Sequence, residues 1–323
     1  MDGNFSWPNG HDAASRRGRR PVFRGILTLA CLAWTCGTAT CMGQATSRQN
    51  AIAWVEGRGG SISSDFQTAG VSQPDLRGVA FVNLEMRNVA DSDLRNLLPL
   101  RPLYGLSLAS TQITDAGLKE VADLSEIQGL LLDRTDISDA GLAAIGKMPN
   151  LKRISLIHTK ITDAGLDHLR KLHQLESLYL DYTGIEGRGL RHLHASSITE
   201  LLLSHTQVDD EGLQAVQPLF RLRRLSLTAT KVTDAGLEQL SQLLALTSLQ
   251  LDGTAITGRE FGRLVGLPEL KELSLDDTKL AAESVTQLSR MKSLKLLSVV
   301  GAGLSADAIA KLKQALPGCE VRS

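Results

Sequence analysis

Leu151-Lys-Arg-Ile-Ser-Leu-Ile-His-Thr-Lys-Ile-Thr-Asp-Ala-Gly-Leu166 changes its hydrophobic period partway along. Its first half carries an L-x-L type pair, as at Leu178 and Leu180 of the next unit, the period of a strand with one buried face. Its continuation places Leu166, Leu169 and Leu172 three apart, along one face of a helix. The same frame returns at Leu222-Arg-Arg-Leu-Ser-Leu-Thr-Ala-Thr-Lys-Val-Thr-Asp-Ala-Gly-Leu237. Working outward, Thr111, Thr135, Thr159, Thr183, Thr206, Thr230, Thr254 and Thr278 are spaced 24, 24, 24, 23, 24, 24 and 24 residues apart. With weaker ends included, units start at 79, 103, 127, 151, 175, 198, 222, 246, 270 and 294 and cover residues 79–317 of 323. Internal repetition on this scale dictates the architecture before any other feature does.

Each unit reads as a strand, a turn and a helix. Thr162 or Thr233 can cap the helix, with Asp163 or Asp234 at its positive end. The recurring glycines (Gly117, Gly141, Gly165, Gly189, Gly212, Gly236) allow the helix to approach its neighbour closely. A crossover between parallel strands should coil right-handedly. Strands stack at about 4.8 Å whereas helices need roughly 8–10 Å, so stacking forces curvature with the sheet inside. The threonine after each strand is expected to satisfy backbone groups in the turn, forming a buried hydroxyl ladder.

These units resemble leucine-rich repeats. The Thr-Asp-x-Gly-Leu helix start is similar to the cysteine-containing, F-box-type subtype and to short repeats of exported bacterial proteins. Here threonine stands in place of the subtype's cysteine, and no F-box-like segment precedes the repeats. The resemblance implies an α/β, right-handed horseshoe solenoid of ten repeats of about 24 residues, with parallel strands on the concave face and helices on the convex face. It also implies protein binding through the concave strands, and no catalysis.

The balance of 35 basic and 35 acidic side chains argues against a nucleic-acid partner. That balance is uneven along the chain. Residues 1–43 hold Arg16, Arg17, Arg19, Arg20 and Arg24 against Asp2 and Asp12, leaving a net of −3 for the remainder. An apolar run, Ile26 to Trp34, and then small residues follow the arginines. This is the layout of a secretory signal peptide cleaved after Gly43 or Ala45, or of an uncleaved signal anchor. The expected divisions are therefore a leader at 1–43, a linker and N-terminal cap at 44–78, the repeat domain at 79–317 and a C-terminal cap at 318–323. Within the N-terminal cap, residues 44–50 read as a polar linker, Ala51–Glu56 as a short helix and Ser61–Ser63 as a strand. Cys31, Cys36 and Cys41 lie in the leader, so Cys319 alone would remain, as a small hydrophobe. One cysteine supports neither an internal disulfide nor a cysteine-based zinc site.

Frame positions that pack the core say nothing about partners. Strand positions three, five, seven and eight project from the concave face or lie at its edge, and there Leu131, Ile157, Tyr179 and Leu202 are apolar in consecutive repeats. Arg134, His158, Tyr182 and His205 flank them at position eight. Leu131, Ile157, His158, Tyr179, Tyr182, Leu202 and His205 are accordingly the expected partner-binding residues, since tyrosine and arginine are favoured anchors. The repeat at 175–197 is irregular: it is one residue short, and Glu186-Gly187 replaces Thr-Asp. Asp252, Glu272, Asp276 and Asp277 gather further on, as a solvated acidic face or a surface for Ca²⁺ or a basic partner. His168, His173, His192 and His194 fall on or beside convex helices without a frame of further ligands. The expectation is an exported, monomeric, non-enzymatic module that binds a protein and carries no cofactor or metal. A cell-envelope structural or carbohydrate-binding component is the alternative.

Overall fold

The leucines of successive frames meet in one continuous hydrophobic core, from Val55 beneath the first repeat to Val321 at the last strand. The computed structural model describes residues 38–64, 79–194 and 196–323. The arginines and apolar run of the expected leader lie outside them. Among the described residues, twelve short strands form one sheet in strict chain order. They are β1 (Ser61–Ser63), β2 (Val79–Asn83), β3 (Leu103–Ser107), β4 (Gly129–Leu131), β5 (Arg153–Ser155) and β6 (Ser177–Tyr179). The others are β7 (Glu200–Leu202), β8 (Arg224–Ser226), β9 (Ser248–Gln250), β10 (Glu272–Ser274), β11 (Leu296–Ser298) and β12 (Glu320–Arg322). From β2 onward pairing is parallel and in frame, so that Ser155 stands beside Tyr179 and Tyr179 beside Leu202. Every frame position is thereby stacked on its equivalent in the neighbouring repeat.

The convex side is built of shorter pieces than the frame suggested. Short α-helices occur at α2 (Asp115–Val121), α3 (Asp139–Ile145), α4 (Leu237–Leu240) and α5 (Ser284–Leu288). Elsewhere the same segments are 3-10 turns, as at Gly165–Leu169, Arg188–Leu193 and Gly212–Val216. The spacing permits both, since apolar residues three apart share a face at 3.0 residues per turn and nearly share one at 3.6. The C-terminal α6 (Ala306–Ala315) is longer and is capped by the Ser305 hydroxyl.

Two polar ladders run through the repeats, one closing each turn and the other joining each repeat to the next. Each repeat threonine is buried, and its Oγ1 donates to the carbonyl three residues earlier at 2.5–2.7 Å, from Thr111 through Thr278. The aspartate of the Thr-Asp pair has a task beyond the helix end. Asp115 accepts the Ser138 backbone N–H at 2.8 Å and the Ser138 hydroxyl at 2.6 Å, and Asp139 does the same for Thr162. It therefore clamps its own repeat to the next. Gly141 and Gly165 make room for this clamp, because a methyl group there would overlap Asp115 Oδ1 and Asp139 Oδ1 respectively. In the irregular repeat Gly187 (φ 106°) takes the aspartate's place and packs backbone to backbone on Gly212.

The N-terminal region differs from its expected form. α1 (Thr38–Gly57) is continuous, so residues 44–50 are helix rather than linker, and both cleavage points lie inside it. Polarity misled there: Gln44, Ala45, Arg48 and Gln49 are good helix formers, and the helix is held from below. Ala51 and Val55, one turn apart, are buried on the first repeat. Arg58 lies 4.4 Å over the Trp54 ring and bridges to Asp93 at 3.1 Å. β1 then pairs antiparallel with β2 and covers its outer edge. At the far end β12 extends the sheet in parallel, beside a Cys319 thiol whose pKa burial pushes up.

Candidate functional site

Position eight of the frame is a left-handed turn, not part of the strand. Met86, Ser110, Arg134, His158, Tyr182, His205, Ala229, Gly253, Asp277 and Gly301 all have φ between 53° and 66°. Side chains with a Cβ adopt this region at a cost of roughly 1–2 kcal/mol each. The offset is visible in the ladder: the Tyr182 N–H donates to Ser204 O at 2.9 Å, and the His205 N–H to Thr228 O at 2.8 Å. The turn thus extends the inter-repeat hydrogen bonding past the strand end. It also stands successive position-eight side chains in a row along the rim of the concave face.

Where that row is aromatic, the rings stack. His158 and Tyr182 lie 4.1 Å apart between centroids at 14°, and Tyr182 and His205 lie 4.2 Å apart at 11°. Tyr182 remains 40% exposed despite having both faces covered. A groove of about 420 Å³ follows the concave side of this ridge, lined among others by Ile157, Leu202, Asp133, Asp181 and Thr228. A second hollow of about 390 Å³ lies on the other side, between Gln112, Asp136 and Lys160. Arg134, His158 and Tyr182 wall both, so the ridge separates them.

Five of the seven expected binding residues meet at this groove: Ile157, His158, Tyr182, Leu202 and His205. Tyr179 and Leu131 do not line it. The Tyr179 hydroxyl instead donates to Glu200 Oε2 at 2.7 Å, and Glu200 in turn bridges to Arg224 at 3.2 Å. Burial first, and then the Glu200 hydrogen bond, push the Tyr179 pKa up to about 12. The two tyrosines of one repeat therefore belong to different neighbourhoods. Tyr182 is also not a strand residue, because β6 ends at Tyr179. Tyr104 lies within β3 and is buried.

Besides Glu85, the groove wall holds two aspartates that are not among the expected binding residues. Asp133 accepts from the Ser155 hydroxyl and from the Ile157 N–H at 3.0 Å, and Asp181 from the Ser204 N–H at 2.6 Å. Burial raises both pKa values above the ordinary carboxylate range, against those hydrogen bonds. Repeating aspartate at position seven was the available signal. The acidic group further on obeys the same rule: Asp252 accepts the Asp276 N–H at 2.8 Å, and Asp276 the Val300 N–H at 2.7 Å. Its acidity thus helps hold neighbouring strands together. Among the described residues no cluster of His, Cys, Asp and Glu is arranged to hold a metal ion. On the convex side His192 Nδ1 lies 3.3 Å from Asp167, remote in frame position from the groove.

Residues 194–216 match the family model described as Leucine Rich repeat. The chain folds as a leucine-rich repeat solenoid. Its fold is similar to that of an internalin (inlF) from Listeria monocytogenes str. 4b F2365, with 22% identity and a TM-score of 0.57 over 71% of this chain and 70% of that one. An internalin C2 (inlC2) from the same strain is 24% identical with a TM-score of 0.46, over 79% of this chain and 92% of that one. No curated protein sequence matches at a significant level. Among the described residues, no helix is long and apolar enough to cross a membrane.

Proposed function

We propose that this leucine-rich repeat solenoid is an exported, non-enzymatic module that binds a protein partner at the concave rim. The His158–Tyr182–His205 stack beside an open groove carries the reading. A rigid sheet presents these rings already ordered, so little side-chain freedom is lost on binding. Apolar Ile157 and Leu202 supply a dry centre and the carboxylates a polar border, the usual anatomy of a recognition patch. The alternative of a carbohydrate-binding surface has less support, since histidine rings cover both faces of Tyr182 and leave no tyrosine platform in the groove. The arginine-rich and then apolar leader supports export.

The test places a photo-crosslinking residue at Ile157 and, separately, at His168 on the convex side of the mature chain. One partner band from the envelope fraction is expected at Ile157 and not at His168. Tyr182→Ala should weaken that partner's binding by ~2–4 kcal/mol if the ring is a hot spot, with unchanged circular dichroism. Crosslinking from His168 alone, or full binding by Tyr182→Ala, refutes the concave-rim reading. Export is tested by the mass of the envelope protein, expected to start near residue 44 or 46. Intact Met1 in the cytosol refutes it.

A further inference from the structure

The aromatic stack is open at one end. His205 has Tyr182 on one face, and the next two rungs of the row are Ala229 and Gly253. The three atoms nearest a Cβ built on Gly253 all belong to Ala229, at 3.9 Å, so a side chain there would meet nothing closer than ordinary van der Waals contact. Beside it the groove continues past Thr228 to Gln250. Asp252 Oδ1 takes the Asp276 N–H at 2.8 Å, while Asp252 Oδ2 has a single long contact, the Thr228 hydroxyl at 3.4 Å. A flat ring face at His205 and an under-used carboxylate oxygen at Asp252 thus flank the slot above Ala229, the first lining the groove and the second reached through Thr228, which also lines it.

We propose that this slot receives an arginine side chain of the protein partner, its guanidinium stacked on His205 above Ala229 and hydrogen-bonded to Asp252. The inference rests on the concave rim being the binding surface, and it names the chemistry recognised there. A guanidinium is planar, so it continues the stack at the spacing of about 4 Å that the rings already show. It is also cationic and forked, so it satisfies a carboxylate while lying flat. Lysine offers the charge without the plane, and tyrosine the plane without the charge. Asp276 and Asp277, one repeat further on, add negative charge on the same side. The guanidinium is thus the group that meets both borders of the slot.

The experiment titrates the mature chain with N-acetyl-arginine methylamide, following the His205 ring proton and carbon resonances, with the lysine and tyrosine methylamides as comparison probes. The arginine probe should shift His205 saturably, leave His168 unmoved, and bind at least tenfold more tightly than either comparison. Ala229→Tyr should abolish the response by supplying the next ring itself. The substitution suits the backbone, since Ala229 at φ 53° matches Tyr182 at φ 58°. Asp252→Asn should weaken the arginine probe and not the tyrosine probe. Equal binding of lysine or of tyrosine overturns the guanidinium assignment, and so does a silent His205 in the unmodified chain, which needs no variant to fold. If His205 ignores the arginine probe while Tyr182→Ala still releases the partner, the slot inference fails and the rim reading stands.

Discussion

Thr183→Val tests whether the hydroxyl ladder holds the binding rim in place. The substitution keeps the branched shape and removes one hydroxyl, which is buried and donates to Leu180 O at 2.5 Å. That hydrogen bond closes the turn whose centre is Tyr182, held at φ 58°. Leaving a buried carbonyl without its donor costs about 1–3 kcal/mol, and that bond also helps hold the left-handed turn against its own strain. For a repeat array of this length, 1 kcal/mol corresponds to about 2–4 °C in Tm, so a fall of about 4–8 °C is expected for a loss near 2 kcal/mol. Thermal and urea unfolding by circular dichroism measure it, with Thr183→Ser as the companion that restores the donor. Val at Thr278, whose turn carries Asp277 far from the stack, should cost similar stability but leave partner binding intact. The reasoning is refuted if Thr183→Val unfolds at the native temperature, or if the serine variant is destabilised as much as the valine.

Three further outcomes follow from the geometry. Tyr179 should ionise near pH 12 in an absorbance titration, and Tyr179→Phe should remove that phase. Because its folded pKa lies above the unfolded value near 10, its contribution to stability is whole below pH 10 and is lost as pH rises through 12. Asp181 has a pKa raised by burial, so ionisation opposes folding above that pKa and the penalty vanishes below about 3.8. Asp181→Asn should then raise Tm at pH 7 with a gain that shrinks towards pH 3, and a lower Tm at pH 7 would contradict this. Gly141→Ala should destabilise by about 1–3 kcal/mol despite the helix propensity of alanine, because its methyl group displaces the Asp115 clamp. Unfolding at unchanged urea concentration would show that the clamp carries no load.

The repeat core was legible because burial imposes the same demand on every unit. Leucines at frame positions must face inward whatever the partner is, and the threonine must close its turn whatever its neighbours are. What the pattern hid is local conformation wherever several residue types satisfy one backbone. Met86, Arg134, His158 and Tyr182 carry no turn signal, yet each sits in the left-handed region because the next repeat offers a carbonyl to its N–H. Reading position eight as strand still stacked His158, Tyr182 and His205 correctly, since register fixes which side chains are neighbours even when the dihedral is wrong. Tyr179 stands outside the groove for the opposite reason. Its position is as expected, but a hydrogen bond to Glu200 on the next strand takes its hydroxyl away from the groove.

The acidity of the concave face shows why residue type alone misjudges function in a stacked fold. Asp133, Asp181, Asp252 and Asp276 share a frame position, and each accepts the backbone N–H of the residue one repeat on. They occur where a parallel ladder of short strands, each three residues from β4 onward, runs out of backbone acceptors. Their charge is a consequence of joining repeats, and it recurs because the repeats do. A side chain that serves a partner should instead depart from its column, as the aromatic trio at position eight does between Arg134 and Ala229. Departure from the column, rather than chemistry within it, is what separates the binding rim from the scaffold that carries it.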